Sequence, residues 1–379
     1  MSRLDHAFLA PSSAGIWGPG GCPASPTVED SYPEQEDSEK AREGTAAHWV
    51  ASERLCDRPV TVGDIAPNGV PVDQDMIDGT DDYVADIEGT EAAASGSSLA
   101  QIETRVNIPS VSSYNEGTPD AYLVDYERRT VHIWDFKYGR RYVDVFENWQ
   151  LIDYLIGVVD TLGLDNSALQ RWQFALTLYQ PRNYHPSGTA RYWELDGEQL
   201  IEYRERLREA ADEATAPNAP MRTGAHCRDC RGRADCVALH LAGGIAIDVA
   251  HAPQLFTLPP AQLGQQLTLV EDAIKRLGAL KTGLEEQALA TIREGRDVPG
   301  WKAEHTKGRT KWNVPVEEVV ALGSMYDVDL LKPPEPITPV QARKLGVDEA
   351  VIDAMSITPS GALALARFTD ADMRRKLKG

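Results

Sequence analysis

Four cysteines enclose the middle of this 379-residue chain and limit how it can fold. Cys22 lies near the start, and Cys227, Cys230 and Cys236 follow roughly 200 residues later with the spacing Cys-x2-Cys-x5-Cys. A clustered trio with one distant cysteine fits a metal site in a reducing compartment better than a disulfide framework. Four thiolates on one metal group would bring both ends of the enclosed segment together. A fifth cysteine, Cys56, is predicted to be a buried free thiol in a helix.

The composition is that of a globular protein, with 42% hydrophobic and 25% charged residues. The net charge of −20 argues against a simple nucleic-acid coat protein. The first hundred residues hold 19 of the 58 acidic side chains and 5 of the 38 basic ones, so most basic residues lie further along. No apolar run is long enough to span a membrane and no secretory signal is recognisable, which predicts a cytoplasmic protein.

Hydrophobic periodicity predicts a mixture of helices and strands. The predicted helices cover residues 39–56, 73–88, 146–162, 197–213 and 260–294. The predicted strands cover residues 101–108, 119–126, 130–137, 172–179 and 190–195. We expect an α/β domain over residues 1–245 and a mostly helical extension over residues 246–379.

Two features of the predicted extension remain open. The leucine-bearing helix 260–294 suits either a core or a dimer seam. A basic hairpin at residues 300–314, with Lys307, Arg309 and Lys311 near its turn, suits a phosphate backbone, a partner protein or plain solvent.

Asp120, Asp135 and Lys137 form the first candidate site. Asp120 begins one predicted strand and Asp135 ends the next, so a hairpin brings the two carboxylates together. Residues 135 and 137 share one face of their strand. Carboxylate oxygens are the ligands that Mg²⁺ or Mn²⁺ prefers, and a neighbouring lysine could orient or deprotonate a water or stabilise developing charge. Taken alone, an Asp-x-Lys pair is as typical of a surface salt bridge.

The order of the motifs resembles the PD-(D/E)XK nuclease superfamily, in its RecB/AddB-type branch. Pro119-Asp120 and Asp135-Phe136-Lys137 match its catalytic strands, and the sequence GTAAH at residues 44–48 matches its Gly-Thr-x-x-His motif. The resemblance implies that His48 ligates the metal with Asp120 and Asp135, and that Lys137 assists catalysis. Gln150 and Tyr154 match the branch's Gln-x-x-x-Tyr motif, which implies DNA contact or support of the site. Glu103 is a further candidate for the same site or an exposed strand carboxylate.

The resemblance implies a restriction-endonuclease-like core, that is, a central mixed sheet flanked by helices. It implies a Mg²⁺- or Mn²⁺-dependent deoxyribonuclease, an exonuclease of phage DNA recombination or processing in a bacterial host. DNA is then the substrate, and a phage single-strand annealing or recombination protein is a partner that fits this role. The competing hypothesis is a non-catalytic DNA- or protein-binding scaffold that keeps the fold.

The four cysteines resemble the iron–sulfur staple of AddB and of CRISPR-associated RecB-like exonucleases. That resemblance implies a structural [4Fe-4S] cluster on Cys22, Cys227, Cys230 and Cys236. Zinc and reduced thiols are the alternatives. The sequence does not give cleavage polarity, strand preference, exonuclease or endonuclease mode, or oligomeric state.

Overall fold

A computed structural model describes residues 7–32, 38–95, 98–183, 188–251 and 258–303, together with position 321. The chain divides into a compact unit over Met1–Ala303 and a second unit over Glu304–Gly379. The predicted basic residues Lys307, Arg309 and Lys311 lie outside the described residues. No helix in the described part of the chain is both long and apolar enough to cross a membrane.

The described residues of the first unit form a series of helices, then a series of strands, and then further helices and strands. In chain order these are α1 (Ala14–Trp17), α2 (Ser25–Asp30), α3 (Glu39–Leu55), α4 (Gln74–Ala93), β1 (Gln101–Ile102), β2 (Val106–Asn107), β3 (Glu116–Gly117), β4 (Ala121–Asp125), β5 (Thr130–Phe136), α5 (Trp149–Leu162), α6 (Asn166–Leu169), β6 (Gln173–Tyr179), β7 (Ala190–Asp196), α7 (Gly197–Ala214), α8 (Val237–His251) and α9 (Pro260–Arg293). Three 3-10 helices cover Pro11–Ser13, Ala225–Arg228 and Arg231–Ala234.

Five strands form the central sheet in the order β1-β4-β5-β6-β7. The β4–β5 and β6–β7 pairs are antiparallel, whereas β5 and β6 are parallel. A parallel pair needs a long crossover, and α5 supplies it. Strands β2 and β3 form a separate two-stranded sheet. The predicted class, a mixed α/β fold with a central mixed sheet between helices, is confirmed.

The two faces of the sheet carry different helices because strand side chains alternate between faces. On one face, Val131 and Ile133 of β5 join a cluster with α1, α5 and α7. On the other face, Trp134 and Phe136 of the same strand join a cluster with α3 and α4. The sheet is therefore buried on both sides, and the C-terminal end of its central strand β5 lies between the two layers of helices.

Helix α5 is defined at both ends by its sequence. The Asn148 side chain accepts hydrogen bonds from the backbone N–H groups of Gln150 and Leu151 and so caps the N-terminus. Gly163 adopts a left-handed conformation (φ 64°) and ends the helix. Between these residues nine consecutive residues, 151–159, are buried. This burial fixes α5 against the sheet and sets the position of the residues in its first turns.

Two sequence-based expectations are corrected. The predicted strand 101–108 is broken into β1 and β2, because Glu103 takes a left-handed backbone conformation (φ 46°) that ends the ladder. Cys56 is exposed rather than buried, since it is the residue that follows the last turn of α3 and lies beyond the buried stripe of that helix.

Gly117 of β3 leaves no room for a side chain. A Cβ atom there would lie 2.8 Å from ring carbons of Pro11 and 2.8 Å from Cε1 of Tyr154. We expect Gly117→Ala to lower the free energy of unfolding by about 1–3 kcal/mol through overpacking. Gly89→Ala is the control, because a Cβ in α4 meets open space and should stabilise that helix by up to ~1 kcal/mol. Urea unfolding measures both, and equal stabilities of the two variants would contradict the packing.

Asp153 is a buried carboxyl in α5, 0% exposed, and both its oxygens accept from the side-chain amide of Asn115. Burial raises the pKa of Asp153 to about 8. The unfolded chain loses this proton near the ordinary aspartate pKa of 3.8, so unfolding releases a proton at intermediate pH. Stability from this group is therefore greatest at acid pH and is lost as pH rises through about 8.

We expect Asp153→Asn to remove this part of the pH dependence. Thermal melts at about pH 6 and about pH 9 should show a smaller fall in Tm for the variant than for the unmodified protein. The same fall in both proteins would mean that Asp153 is ionised in the folded chain at neutral pH.

Candidate divalent metal centre

The β4–β5 hairpin brings Asp120, Asp135 and Lys137 together where β4 begins and β5 ends. Ala121 pairs with Trp134, so Asp120, one residue earlier, lies beside the end of β5. Its Oδ2 accepts the backbone N–H of Phe136 at 2.7 Å. The Lys137 Nζ donates to Asp135 Oδ1 at 2.9 Å. The two carboxylates and the ammonium predicted from the sequence thus lie together.

Two residues from outside the hairpin complete the acidic centre. His48 of α3 places its Nδ1 3.5 Å from Asp120 Oδ1, and its ring packs edge-on against Phe136. The backbone N–H of Glu103 donates to the Asp120 carbonyl at 3.1 Å. One ligand atom each from His48, Glu103 and Asp120 lies within 4.8 Å of the others. The described residues contain no other such set.

The charges of this cluster are strongly coupled. Burial opposes ionisation of Asp120, but His48 and Lys137 outweigh it and hold the pKa of this carboxyl below its usual value. Burial raises the pKa of Asp135, and Asp120 adds to the rise. Burial alone would lower the pKa of Lys137, but Asp135 and Asp120 raise it, so the ammonium stays charged.

Glu103 has an environment that disfavours its charged form and a backbone conformation that non-glycine residues rarely adopt. Glu103 is an exposed residue, but partial desolvation of its carboxyl, followed by the nearby charge of Asp120, raises its pKa to about 7. Its backbone also lies in the left-handed region, which costs a non-glycine residue on the order of 1–3 kcal/mol. Such strain is often stored at functional sites. The sequence offered only the position of this acid on a strand and no signal for its conformation.

The donor set fits a hard divalent cation. The Oδ2 atom of Asp135 is buried without a hydrogen-bond partner among the described residues. Asp135 is 2% exposed, whereas Asp120 is 16% and His48 30% exposed, so the cluster opens to solvent on the His48 side. Carboxylate oxygens with one imidazole nitrogen suit Mg²⁺ or Mn²⁺. Asp135, which the sequence predicted as a ligand, lies outside the set of ligand atoms within 4.8 Å of one another.

Gln150 and Tyr154 lie one turn apart on α5, as their spacing predicts. Tyr154 is buried close enough to Asp120 and Asp135 for both charges to act on it. Burial is the main cause that raises the pKa of the Tyr154 hydroxyl, and the two carboxylates add to it. Tyr154 therefore stays a neutral hydrogen-bonding group beside the acidic centre.

Cys22, Cys227, Cys230 and Cys236 lie near one another at a second place, but they do not form a metal-ligand set among the described residues. The backbone N–H of Arg222 donates to Cys22 Sγ at 3.4 Å, and that of Gly224 donates to Cys227 Sγ at 3.3 Å. Burial raises the pKa of Cys230 to about 12, and the neighbouring Cys227 and Cys22 add to the rise. Cys236 and Cys22 likewise add to the raised pKa of Cys227, after its burial.

The four thiols do not form a set within 4.8 Å of one another in the described part of the chain. Tetrahedral zinc ligation at about 2.3 Å puts sulfur atoms about 3.8 Å apart. The described residues therefore do not present the cysteines as a ready-made zinc site.

Helix α9 closes over the cysteine segment. A Cβ at Gly283 would meet the backbone of Arg233 and Ala234 at 2.8 Å, so the helix lies directly on that segment. Arg233 forms an ion pair with Glu286 of α9, and the Gln287 amide donates to the Ala234 carbonyl at 2.7 Å. The predicted domain boundary at residue 245 stays a prediction. Helix α9 lies beyond that boundary in the sequence and packs on the cysteine segment.

Sequence reasoning missed one contact between the two sites. Arg141, in the connection from β5 to α5, forms an ion pair of 2.8 Å with Asp229, which stands between Cys227 and Cys230. The residues are 88 positions apart, and no local pattern signals that they meet.

The fold and these groups define an α/β protein with a candidate divalent-cation centre at the ends of strands β4 and β5 of its mixed sheet. The chain belongs to the family described as a protein of unknown function (DUF2800), which matches residues 6–373. No curated protein matches the chain. The family match extends across both units.

Proposed function

We propose that this protein is a Mg²⁺- or Mn²⁺-dependent DNA nuclease of the PD-(D/E)XK type, related to the RecB/AddB branch. The observation that carries the proposal is the cluster of His48, Glu103 and Asp120 ligand atoms within 4.8 Å of one another. Asp135, with a buried oxygen in need of a partner, and the charged Lys137 stand beside it. A hairpin with a purely structural role would not require three carboxylates, one histidine and one lysine close together beside a residue with a strained backbone.

Each residue has a role in this proposal. His48, Glu103 and Asp120 would hold the cation, and Asp135, the further ligand predicted from the sequence, would act from beside that set. When bound, the cation supplies charge neutralisation at the phosphate and activates a water molecule. Lys137, held by Asp135, orients that water or stabilises the negative charge of the transition state.

Gln150 and Tyr154 would act on the substrate rather than on the cation. Tyr154 is neutral and buried next to the acidic centre, and Gln150 lies in the first turn of α5. An amide and a hydroxyl at that position suit hydrogen bonds to phosphate oxygens and sugars, which position a strand without reading its sequence.

The cysteine site is proposed as a structural [4Fe-4S] centre. Its support is the nearness of Cys22 to Cys227, Cys230 and Cys236 and the N–H···S hydrogen bonds to Cys22 and Cys227. Bound there, the group would join α1 and α2 to the segment under α9. Its role is to fold this part of the chain.

An exonuclease of phage DNA recombination, with a single-strand annealing or recombination protein as partner, is the biological setting we propose. Its support is the resemblance of the motifs to RecB-type enzymes. The test is cleavage by anaerobically purified protein of end-labelled linear DNA and of circular DNA, each single- and double-stranded. Metal-dependent loss of linear DNA alone supports an exonuclease, and the order of label release gives polarity. No cleavage by folded, metal-loaded protein would favour a non-catalytic scaffold.

A further inference from the structure

The loop between β5 and α5 is held in place by a buried amide. Gln180 is 1% exposed, and its Nε2 donates to the Gly139 carbonyl at 2.8 Å and also to the Arg141 carbonyl. Its Oε1 accepts the backbone N–H of Val143 at 3.2 Å. One side chain therefore satisfies three backbone groups of residues 139–143. We call these five residues the anchored loop.

A buried arginine supports Gln180 from the neighbouring strand. Arg191 is 4% exposed, and its guanidinium donates to Gln180 Oε1 at 3.1 Å and to Asn183 Oδ1 at 3.1 Å. The same guanidinium lies 4.5 Å from the centre of the Tyr142 ring. Buried polar networks are costly unless their groups are paired. Here Gln180 and Arg191 fix the backbone of an otherwise surface loop.

The sheet register relates Arg191, which supports the anchored loop, to Asp135 beside the metal centre. Asp135 pairs with Leu178, and Leu178 pairs with Arg191, so the aspartate and the arginine lie in one row across three strands. Two strand spacings amount to about 9.5 Å, which is the length of about three nucleotides along a duplex strand. The loop also begins two residues after Lys137.

The outer side of the loop is basic in a strongly acidic protein. Arg140 and Arg141 are exposed. Arg140 pairs with no acidic side chain among the described residues, and its carbonyl accepts from Asn183 Nδ2 at 2.8 Å, which fixes its backbone. Arg141 uses Nη1 for Asp229, and a guanidinium has five N–H donors, so further donors remain for a ligand.

We infer that the anchored loop is a phosphate-binding element in which Arg140 and Arg141 contact the DNA backbone next to the scissile phosphate. This inference rests on the proposed nuclease function and names the surface that guides its substrate. Two adjacent guanidiniums on a rigid backbone match the regular charge of a nucleic-acid strand. The Arg141–Asp229 pair fixes one of them to the cysteine segment, so that segment also sets the path of the strand.

The test is DNA binding by Arg140→Gln/Arg141→Gln, measured by fluorescence anisotropy with a labelled oligothymidylate. The full-length protein carries Asp120→Asn throughout, so that the strand is not degraded. Each lost phosphate contact lowers the slope of log K against log salt by about 0.7 for a single strand. We expect the double change to weaken binding at least about tenfold and to lower the slope by about 1.4.

Arg208→Gln is the matched control, because Arg208 is an exposed, ion-paired arginine on α7. It should leave affinity and slope unchanged. Normal binding by the double variant, an equal loss in Arg208→Gln, or no binding by the parent protein would each overturn the inference. Binding through the loop without cleavage by the Asp120-containing protein would instead refute the nuclease function alone.

Discussion

Asp120→Asn is expected to abolish metal-dependent DNA cleavage, by at least about 10²–10³-fold, without unfolding the protein. An asparagine Oδ1 can still accept the Phe136 N–H, which Asp120 Oδ2 accepts at 2.7 Å. The negative charge that pairs with His48 and would hold the cation is lost. Single-turnover cleavage of labelled DNA gives the rate, and a thermal melt of the same sample reports the fold.

Asp86→Asn is the control that makes this result specific. Asp86 is also a half-buried carboxylate; it lies on α4 and accepts a hydrogen bond from Trp134 Nε1 of β5 at 2.8 Å. It is outside the set of candidate ligands. We expect it to cleave at close to the normal rate. A folded Asp120→Asn protein that cleaves as fast as Asp86→Asn would remove Asp120 from the site.

Cys230→Ser is expected to cause the largest loss of stability. It removes one of the four thiols that would hold the proposed structural metal group, beside the 3-10 helix Arg231–Ala234 on which α9 packs. Binding energy at a structural metal site is folding energy. We expect Tm to fall by more than about 10 °C, which corresponds to several kcal/mol for a unit of this size, and the bound metal to fall well below the parent level.

Cys56→Ser supplies the matched control, since Cys56 is an exposed thiol outside the converging four. It should keep the parent Tm and the parent metal content. Elemental analysis for iron, zinc and acid-labile sulfide identifies the group on the intact protein. Iron with sulfide supports the cluster, and zinc alone would replace it with a zinc site. Equal stability and metal content in both variants would show that the four cysteines hold no structural metal.

The local parts of this fold could be read from the sequence. Strands β4 and β5 are short runs that are mostly buried, and α5 is an apolar segment between a capping asparagine and a terminating glycine, so each element can be predicted from a few neighbouring residues. The meeting of Asp120 with Asp135 follows from the hairpin between them. The approach of His48 to Asp120, across 72 positions, was implied only by the resemblance to RecB-type motifs.

The parts that could not be read depend on distant contacts. No residue near Glu103 in the sequence predicts its left-handed backbone conformation. That conformation occurs where its N–H donates to the Asp120 carbonyl, a contact between distant residues. Helix α9 can pack on the cysteine segment because Gly283 has no side chain where it meets the backbone of Ala234. The sequence near Gly283 does not show that this contact exists. The error at Cys56 arose because a helical pattern does not show where the buried stripe of α3 ends.

The most direct test of the proposed function is the Mn²⁺ dependence of cleavage in one preparation. Mn²⁺ binding is followed by electron paramagnetic resonance, and the cleavage rate of linear DNA is measured over the same titration. We predict no cleavage in chelator, and a rate that rises with occupancy of the site and saturates with it. Cleavage that persists in chelator, or a fully occupied site that leaves DNA intact, would contradict a metal-dependent nuclease.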